Sequence, residues 1–128
     1  MKKQCFLIIV AGFLSAQPLK VDVRPRLMDE NTIIVVVQID NQSGRTINHL
    51  EGFLIFSADT GRTIIEKRMI IIGPNDPAVH NNRTVSKNIK LDLVKPFPDY
   101  KFNISKIAFT GDYRIYTYHQ EIGFYRID

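Results

Sequence analysis

Residues 32–58 read TIIVVVQIDNQSGRTINHLEGFLIFSA, two apolar segments separated by a polar turn. The branched side chains of residues 33–37 favour an extended backbone, and such a run has little reason to exist outside a core. Asn41 and Gly44 lie in the turn, and both residue types tolerate the positive φ that tight connections need. We therefore predict a buried hairpin whose first strand, residues 32–40, is apolar on both faces and covered on each side.

The amino terminus has the organisation of a secretory signal peptide. Lys2 and Lys3 are followed by the uninterrupted apolar run CFLIIVAGFL at residues 5–14 and then by small residues ending at Ala16. This order is typical of export signals, and the run is too short to span a bilayer comfortably. We predict cleavage of residues 1–16, after Ala16 or slightly earlier. A buried first strand is the alternative.

Loss of that segment changes the bulk properties of the 128-residue chain. The only cysteine, Cys5, leaves with it, so the mature protein has no disulfide and no lipid-attachment thiol. Fifteen of the 17 basic residues remain against 13 acidic ones, which lowers the formal net charge from +4 to +2. Because the basic residues are scattered, we predict no nucleic-acid binding. The expected product is one domain, residues 17–128, exported to the periplasm or secreted, with no stable membrane anchor.

The remaining chain alternates apolar and polar residues between short turn signals. Pro25 confines the first predicted strand to a sheet edge, since proline donates no hydrogen bond to a ladder. Connections this short cannot hold crossover helices, so the sheets should be antiparallel. About seven strands at this spacing predict an all-β immunoglobulin-like sandwich. The predicted strands cover residues 19–27, 32–40, 47–57, 62–72, 84–93, 100–110 and 113–119, and an apolar tail follows at residues 122–127.

Two positions inside these strands depart from simple alternation. Gly52 interrupts an apolar strand, which indicates a bulge or a close approach of another backbone. In the sixth strand the alternating apolar positions end at Ile104 and resume out of phase at Ile107. An extra residue near Ser105-Lys106 would restore the phase, so we predict a β-bulge there.

Two segments resemble known families. The string LVKPFPDYKF at residues 93–102 resembles the tyrosine corner of immunoglobulin and fibronectin type III domains, which implies that the Tyr100 hydroxyl bonds to nearby backbone. The string VVVQIDNQSGRTINHLEGFLIFSADTGRTI at residues 35–64 is similar to exported bacterial immunoglobulin-like modules of the FxLYD-like kind, with the resemblance extending over about residues 33–110. That resemblance implies a small extracytoplasmic binding or assembly domain rather than an enzyme.

Residues capable of metal or acid–base chemistry are dispersed. His49, His80 and His119 are isolated in sequence and form no metal-clamping pair. Asp76 and His80 share the loop at residues 73–82 and could form a site, but we prefer the interpretation that the loop is solvated. No nucleophile elbow or glycine-rich phosphate loop occurs. We predict no enzymatic activity, no cofactor and no metal.

The best candidate binding surface is residues 113–119, YRIYTYH. A period of two places Arg114, Tyr116 and Tyr118 on one face of this strand. If Ile115 points inward, these three side chains form an exposed stripe of the residue types that anchor interfaces and stack on ligands. The alternative is that the tyrosines line a half-buried face with their hydroxyls in water.

These observations favour a non-catalytic module that binds a protein or peptide through an edge strand or through the tyrosine–arginine face. A carbohydrate-binding or surface-adhesion domain that stacks glycans on the same tyrosines is the alternative, and a small exported hydrolase is a second one. Asn41, Asn82 and Asn103 match the N-glycosylation pattern, but we interpret them as turn or strand residues.

Overall fold

The structure, a computed structural model, describes residues 17–58, 63–95 and 97–128. The predicted signal peptide, residues 59–62 and Pro96 lie outside these ranges. None of the described residues forms a helix long and apolar enough to cross a membrane. The described strands are β1 (Leu19–Leu27), β2 (Thr32–Asn41), β3 (Ile47–Ala58), β4 (Thr63–Ile72), β5 (Arg83–Asp92), β6 (Lys101–Phe109), β7 (Tyr116–His119) and β8 (Gly123–Arg126).

These strands form two antiparallel sheets packed face to face. One sheet has the order β1-β2-β5, and the other has the order β4-β3-β6-β7-β8. The first, second and fifth strands thus share a sheet, while the third, sixth and seventh share the other, as in immunoglobulin-like sandwiches. The predicted fold class is confirmed, and the apolar tail supplies an eighth strand.

Residues 32–58 do not form the predicted hairpin. β2 pairs with β1 and β5, whereas β3 pairs with β4 and β6. The connection between them therefore crosses from one sheet to the other. The expectation that β2 is covered on both sides is also wrong, because its residues alternate between buried and half-buried. Ile34 and Val36 lie on its outer, partly solvated face.

Asn41 organises this crossing. Its side chain is fully buried, and its amide nitrogen donates to the carbonyl oxygens of Arg45 at 2.7 Å and Val79 at 2.9 Å. Its amide oxygen accepts from the Ser43 backbone N–H at 3.0 Å. Both sides of the amide are therefore satisfied, as a buried polar group requires. The asparagine predicted as a turn residue is a buried link between the turn and the loop that contains Val79.

The core lies between the sheets and draws alternate residues from both. Its largest fully buried side chains are Phe109, Leu19, Ile33, Ile39, Ile47, Leu50, Leu54, Ile71, Ile72 and Ile107. Each such side chain removed from water stabilises the fold by about 1.5–3 kcal/mol before conformational entropy is subtracted. The two sheets are therefore held together mainly by apolar burial.

Both irregular positions in the sequence are confirmed. Glu51 faces Lys106 and Gly52 faces Ile104, so Ser105 is the extra residue of a bulge in β6. A Cβ atom at Gly52 would overlap the Asn103 carbonyl oxygen. The glycine therefore allows β6 to approach β3 at the bulge.

The expected tyrosine corner is wrong in its main contact. The Tyr100 ring packs 5.1 Å from the Phe56 ring, and its hydroxyl is buried without a hydrogen-bond partner among the described residues. Because the ring turns toward the core, the hydroxyl does not reach nearby backbone, and burial raises its pKa. The Tyr118 hydroxyl instead donates to the Leu19 carbonyl oxygen at 3.4 Å.

Candidate functional site: a cleft beside the edge strand

β1 is an edge strand, and its register with β2 shows which of its backbone N–H and C=O groups bond to β2 and which point away. The Gln42 N–H donates to the Pro18 carbonyl oxygen at 2.8 Å, directly before the β1–β2 ladder begins. Hydrogen-bonded pairs alternate with non-bonded pairs in an antiparallel ladder. Even-numbered residues of β1 therefore bond to β2, and odd-numbered residues direct their N–H and C=O groups away from it.

The outward-facing N–H and C=O groups that β1 can offer to a partner strand lie in a short segment. The Leu19 carbonyl accepts the Tyr118 hydroxyl, and Pro25 has no N–H to offer. Val21 and Val23 lie between these limits, and each presents one donor and one acceptor that the described strands do not pair. The edge can therefore accept a partner strand over two bonded residues.

An open cleft of about 620 Å³ adjoins this segment. Val21 and Val23 line it from β1, and Phe102 and Ile104 line it from the start of β6. The turn between β7 and β8, residues 119–122, lines it from the other strand pair. A free backbone edge and apolar side chains thus border the same cavity.

The cleft results from the unequal size of the two sheets. β1 packs against β6, and β5 packs against β4. The sheets consequently end together at the β4–β5 flank, whereas β7 and β8 extend past β1 at the other flank. Only at the β1 flank, among the described strands, does a position beside an edge lie next to further strands of the opposing sheet.

The predicted exposed stripe is wrong. Tyr118 is only 5% exposed, and its ring packs 4.9 Å from that of Phe124 in the core. Tyr116 is half-buried, and its hydroxyl donates to Asp112 at 2.7 Å. The physical reason is that β7 begins only at Tyr116 and turns its tyrosine side inward, while Ile115 precedes the strand and is exposed.

Arg114 is exposed, as predicted, and its side chain interacts with that of Tyr116, but Tyr118 is buried, so the three side chains form no common exposed stripe. Its backbone N–H donates to Asp112 at 3.0 Å, and its guanidinium lies 5.7 Å from the ring of Tyr113, which is 80% exposed. Asp112 also accepts from Arg45 at 2.8 Å, and this ion pair together with two further hydrogen bonds holds the pKa of the carboxyl well below its usual range. Arg45 in turn lies 4.0 Å from the Phe109 ring centroid. This network attaches the last hairpin to the sandwich.

The two loop residues proposed to share a site line a second cleft of about 440 Å³ but bond to different partners. Asp76 accepts from the Gly73 N–H at 2.8 Å and from the Lys87 ammonium at 3.3 Å. These bonds lower the pKa of Asp76. His80 contacts the Thr46 hydroxyl at 3.2 Å. In the described ranges no three metal-ligating side chains converge.

Sequence reasoning missed an ion-pair cluster on the outer face of the five-stranded sheet. The Glu51 side chain is 7% exposed and accepts from Arg68 at 2.7 Å, and it lies 2.9 Å from the His49 ring. The hydrogen bonds from Arg68 and then His49 lower the pKa of Glu51 to about 2. The spacing of His49 and Glu51 placed both on one strand face, but nothing in the sequence marked Arg68 as their neighbour.

Comparison with known proteins gives a likeness of fold. No protein-family model and no curated protein matches the chain. A crystal structure described as an ApaA protein from Bordetella pertussis is 16% identical over 73% of this chain and 81% of its own, with a TM-score of 0.59. The Northeast Structural Genomics Consortium target SoR45 is 13% identical over 73% of this chain and 75% of its own, with a TM-score of 0.55. At these identities the similarity establishes a shared sandwich fold.

Proposed function

We propose that this protein is a non-catalytic, extracytoplasmic module that binds an extended peptide segment of a partner protein by strand addition to β1. The observation that carries the proposal is the unpaired backbone at Val21 and Val23 beside the cleft. Addition of a strand to an exposed sheet edge is a recurrent mode of peptide recognition, in which the main chain supplies affinity and adjacent pockets supply specificity.

The geometry suits a short peptide held weakly. A strand that pairs with Val21 and Val23 completes up to four backbone hydrogen bonds, each worth about 0.5–1.5 kcal/mol net. Its side chains at the bonded positions point into the cleft toward Phe102 and Ile104, which adds apolar burial. Association and ordering costs offset much of this gain, so we expect a transient complex.

The proposed location depends on the predicted signal peptide at residues 1–16, with its basic start and apolar run. The carbohydrate alternative depended on exposed rings at Tyr116 and Tyr118. Those rings pack against Phe109 and Phe124, which leaves a glycan without the stacking surface that the alternative requires.

The test is a titration with the capped neutral heptapeptide Thr-Gln-Val-Thr-Val-Gln-Thr, followed by two-dimensional NMR of the mature chain. We expect the largest amide shifts at Val21 and Val23. In antiparallel pairing the two peptide valines lie opposite Val21 and Val23, so N-methylation of both valines removes the bonding N–H groups and should weaken binding at least about tenfold. N-methylation of the central threonine is the matched control, because its N–H points away from β1 and should leave affinity unchanged.

Two results would contradict strand addition at β1. One is a set of shifts centred elsewhere, for example on the loop that lines the second cleft. The other is equal binding by the two N-methylated peptides.

A further inference from the structure

We infer that the peptide bound at β1 is acidic and amphipathic, with apolar side chains toward the cleft and carboxylates on the outer row. This inference rests on the proposed function and adds the chemistry of the partner. Lys20, Asp22 and Arg24 alternate along β1 with the two valines, so their side chains form a row on the outer face of the sheet. A strand beside β1 places every second side chain directly against this row.

The row carries a net positive charge toward an incoming strand. Arg24 contacts the Asp22 carboxylate at 3.4 Å and donates to the Gln38 side chain at 2.8 Å, so Asp22 offsets one positive charge of a strand that holds three basic residues. Lys20 and Arg26 are exposed and form no ion pair within the described ranges. Carboxylates of the bound strand opposite Lys20 and Arg24 would be favourable, whereas an uncharged side chain suits the position opposite Asp22.

The cleft side selects for apolar groups. Val21, Val23, Phe102 and Ile104 border the position where inward side chains of a bound strand would lie. The charged residues of the lining, Lys101 and Glu121, are one of each sign and impose no net preference. The outer row therefore decides the charge of the partner, and the cleft decides its apolar positions.

A second copy of this chain is a poor occupant. Symmetric antiparallel pairing of two β1 strands through Val21 and Val23 places Asp22 against Asp22 of the other copy. It also places Lys20 against Arg24 of the other copy, twice. Like charges directly opposite each other destabilise a strand pair. A foreign peptide in antiparallel orientation can carry the complementary pattern, acidic–apolar–neutral–apolar–acidic.

The experiment compares three capped heptapeptides that differ only at two positions. They are Thr-Glu-Val-Thr-Val-Glu-Thr, its neutral glutamine counterpart and its basic lysine counterpart. We expect the acidic peptide to bind the mature chain about tenfold more tightly than the basic one, with the neutral peptide between them. Raising the salt concentration should reduce the difference, since exposed charges are screened.

A charge-swapped protein is the second arm. In Lys20→Glu/Arg24→Glu the order of the three affinities should invert, because both substituted side chains are exposed and lie at the same register positions. Equal affinity of the three peptides, or an unchanged order in the variant, would overturn the charge inference and leave strand addition standing. Absence of binding by all three peptides would overturn both. A dimer in sedimentation analysis that the acidic peptide does not dissociate would identify a second copy as the occupant and also overturn the inference.

Discussion

The two flanks of the sandwich differ in what lies beside their edge strands. At one flank β4 and β5 end together, so a strand added to either would have no further strand of the opposing sheet beside it, although the smaller cleft of about 440 Å³ lies there between β5 and the loop at residues 73–82. At the other flank β1 ends the three-stranded sheet while β7 and β8 continue the five-stranded one. An added strand there gains both a backbone ladder and a neighbouring cleft. A free edge alone is therefore a weak binding site, and the strands beyond it provide the difference.

The largest effect should come from the contact between β3 and β6, two strands that lie between the flanks. Gly52→Ala inserts a methyl group against the Asn103 carbonyl and within 2.7 Å of the Phe102 ring, so we expect a loss of about 3 kcal/mol in the free energy of unfolding. Gly44→Ala is the control. Gly44 has φ of 79° and no neighbouring atom within 4 Å, so only backbone strain of about 1–2 kcal/mol should result. Urea denaturation measures both, and equal losses would contradict the close approach of β6.

The next pair of variants compares the side of β1 that bonds to β2 with the side that points away from it. Asp22→Pro removes an N–H that bonds to β2 opposite Gln38 and should cost about 2 kcal/mol of stability. Val21→Pro removes an outward N–H, as Pro25 already does, and should cost less than about 1 kcal/mol. Thermal or urea unfolding of the two variants tests the assignment. If Val21→Pro were the more damaging substitution, the outward direction of Val21 would be wrong.

A third pair of variants compares the flanks directly. The Leu93 N–H donates to the Asn31 carbonyl oxygen at 2.8 Å, so the odd-numbered residues of β5 bond to β2 in this antiparallel register. Asn88 is even-numbered, so its N–H points away from β2. Proline at Asn88 or at Val21 therefore removes one outward donor from an edge. We expect Val21→Pro to weaken the neutral heptapeptide about tenfold, since a peptide carbonyl loses its partner. Asn88→Pro should leave the affinity unchanged. Equal weakening by both would place the peptide elsewhere.

The smallest effect should come from Glu51, which lies on the interior strand β3 and so belongs to neither flank. The pKa of Glu51 is lowered from 4.5 to about 2, so its ion pairs stabilise the fold fully above about pH 4.5 and progressively less as the pH falls toward about 2. Glu51→Gln should cost about 1 kcal/mol near neutral pH, and the difference from the wild type should shrink in acid. Urea unfolding from neutral to acidic pH measures this. A pH-independent difference would show that the carboxylate charge contributes nothing.

Features set by neighbours along the chain could be predicted from the sequence. The bounds of β1 agree with the predicted strand at residues 19–27, and the bulge at Ser105 follows from a local slip in apolar phase. The close approach at Gly52 was predictable because a glycine weakens a strand interior and so marks a bulge or a tight backbone contact. Each of these features depends on backbone periodicity or on one residue type.

Features that depend on sheet membership could not be predicted. Nothing in residues 32–58 distinguishes a hairpin from a crossing between sheets, since either uses a polar turn. Tyr118 was misplaced because residues 113–119 carry large side chains on both faces, so alternation does not say which face is inward. The cleft brings Val21 beside residues 119–122, about a hundred positions later, and exists only because the two sheets differ in strand number.

The buried amide of Asn41 also bears on the order of folding events. Its bonds to Ser43 and Arg45 are local and can form as soon as the turn closes. Its bond to the Val79 carbonyl joins residues 38 positions apart and must await the arrival of a distant loop. Closing such a loop carries an entropic cost before any contact compensates it. We therefore expect the joining of the two sheets at Asn41 to be a late, rate-influencing step on the folding pathway.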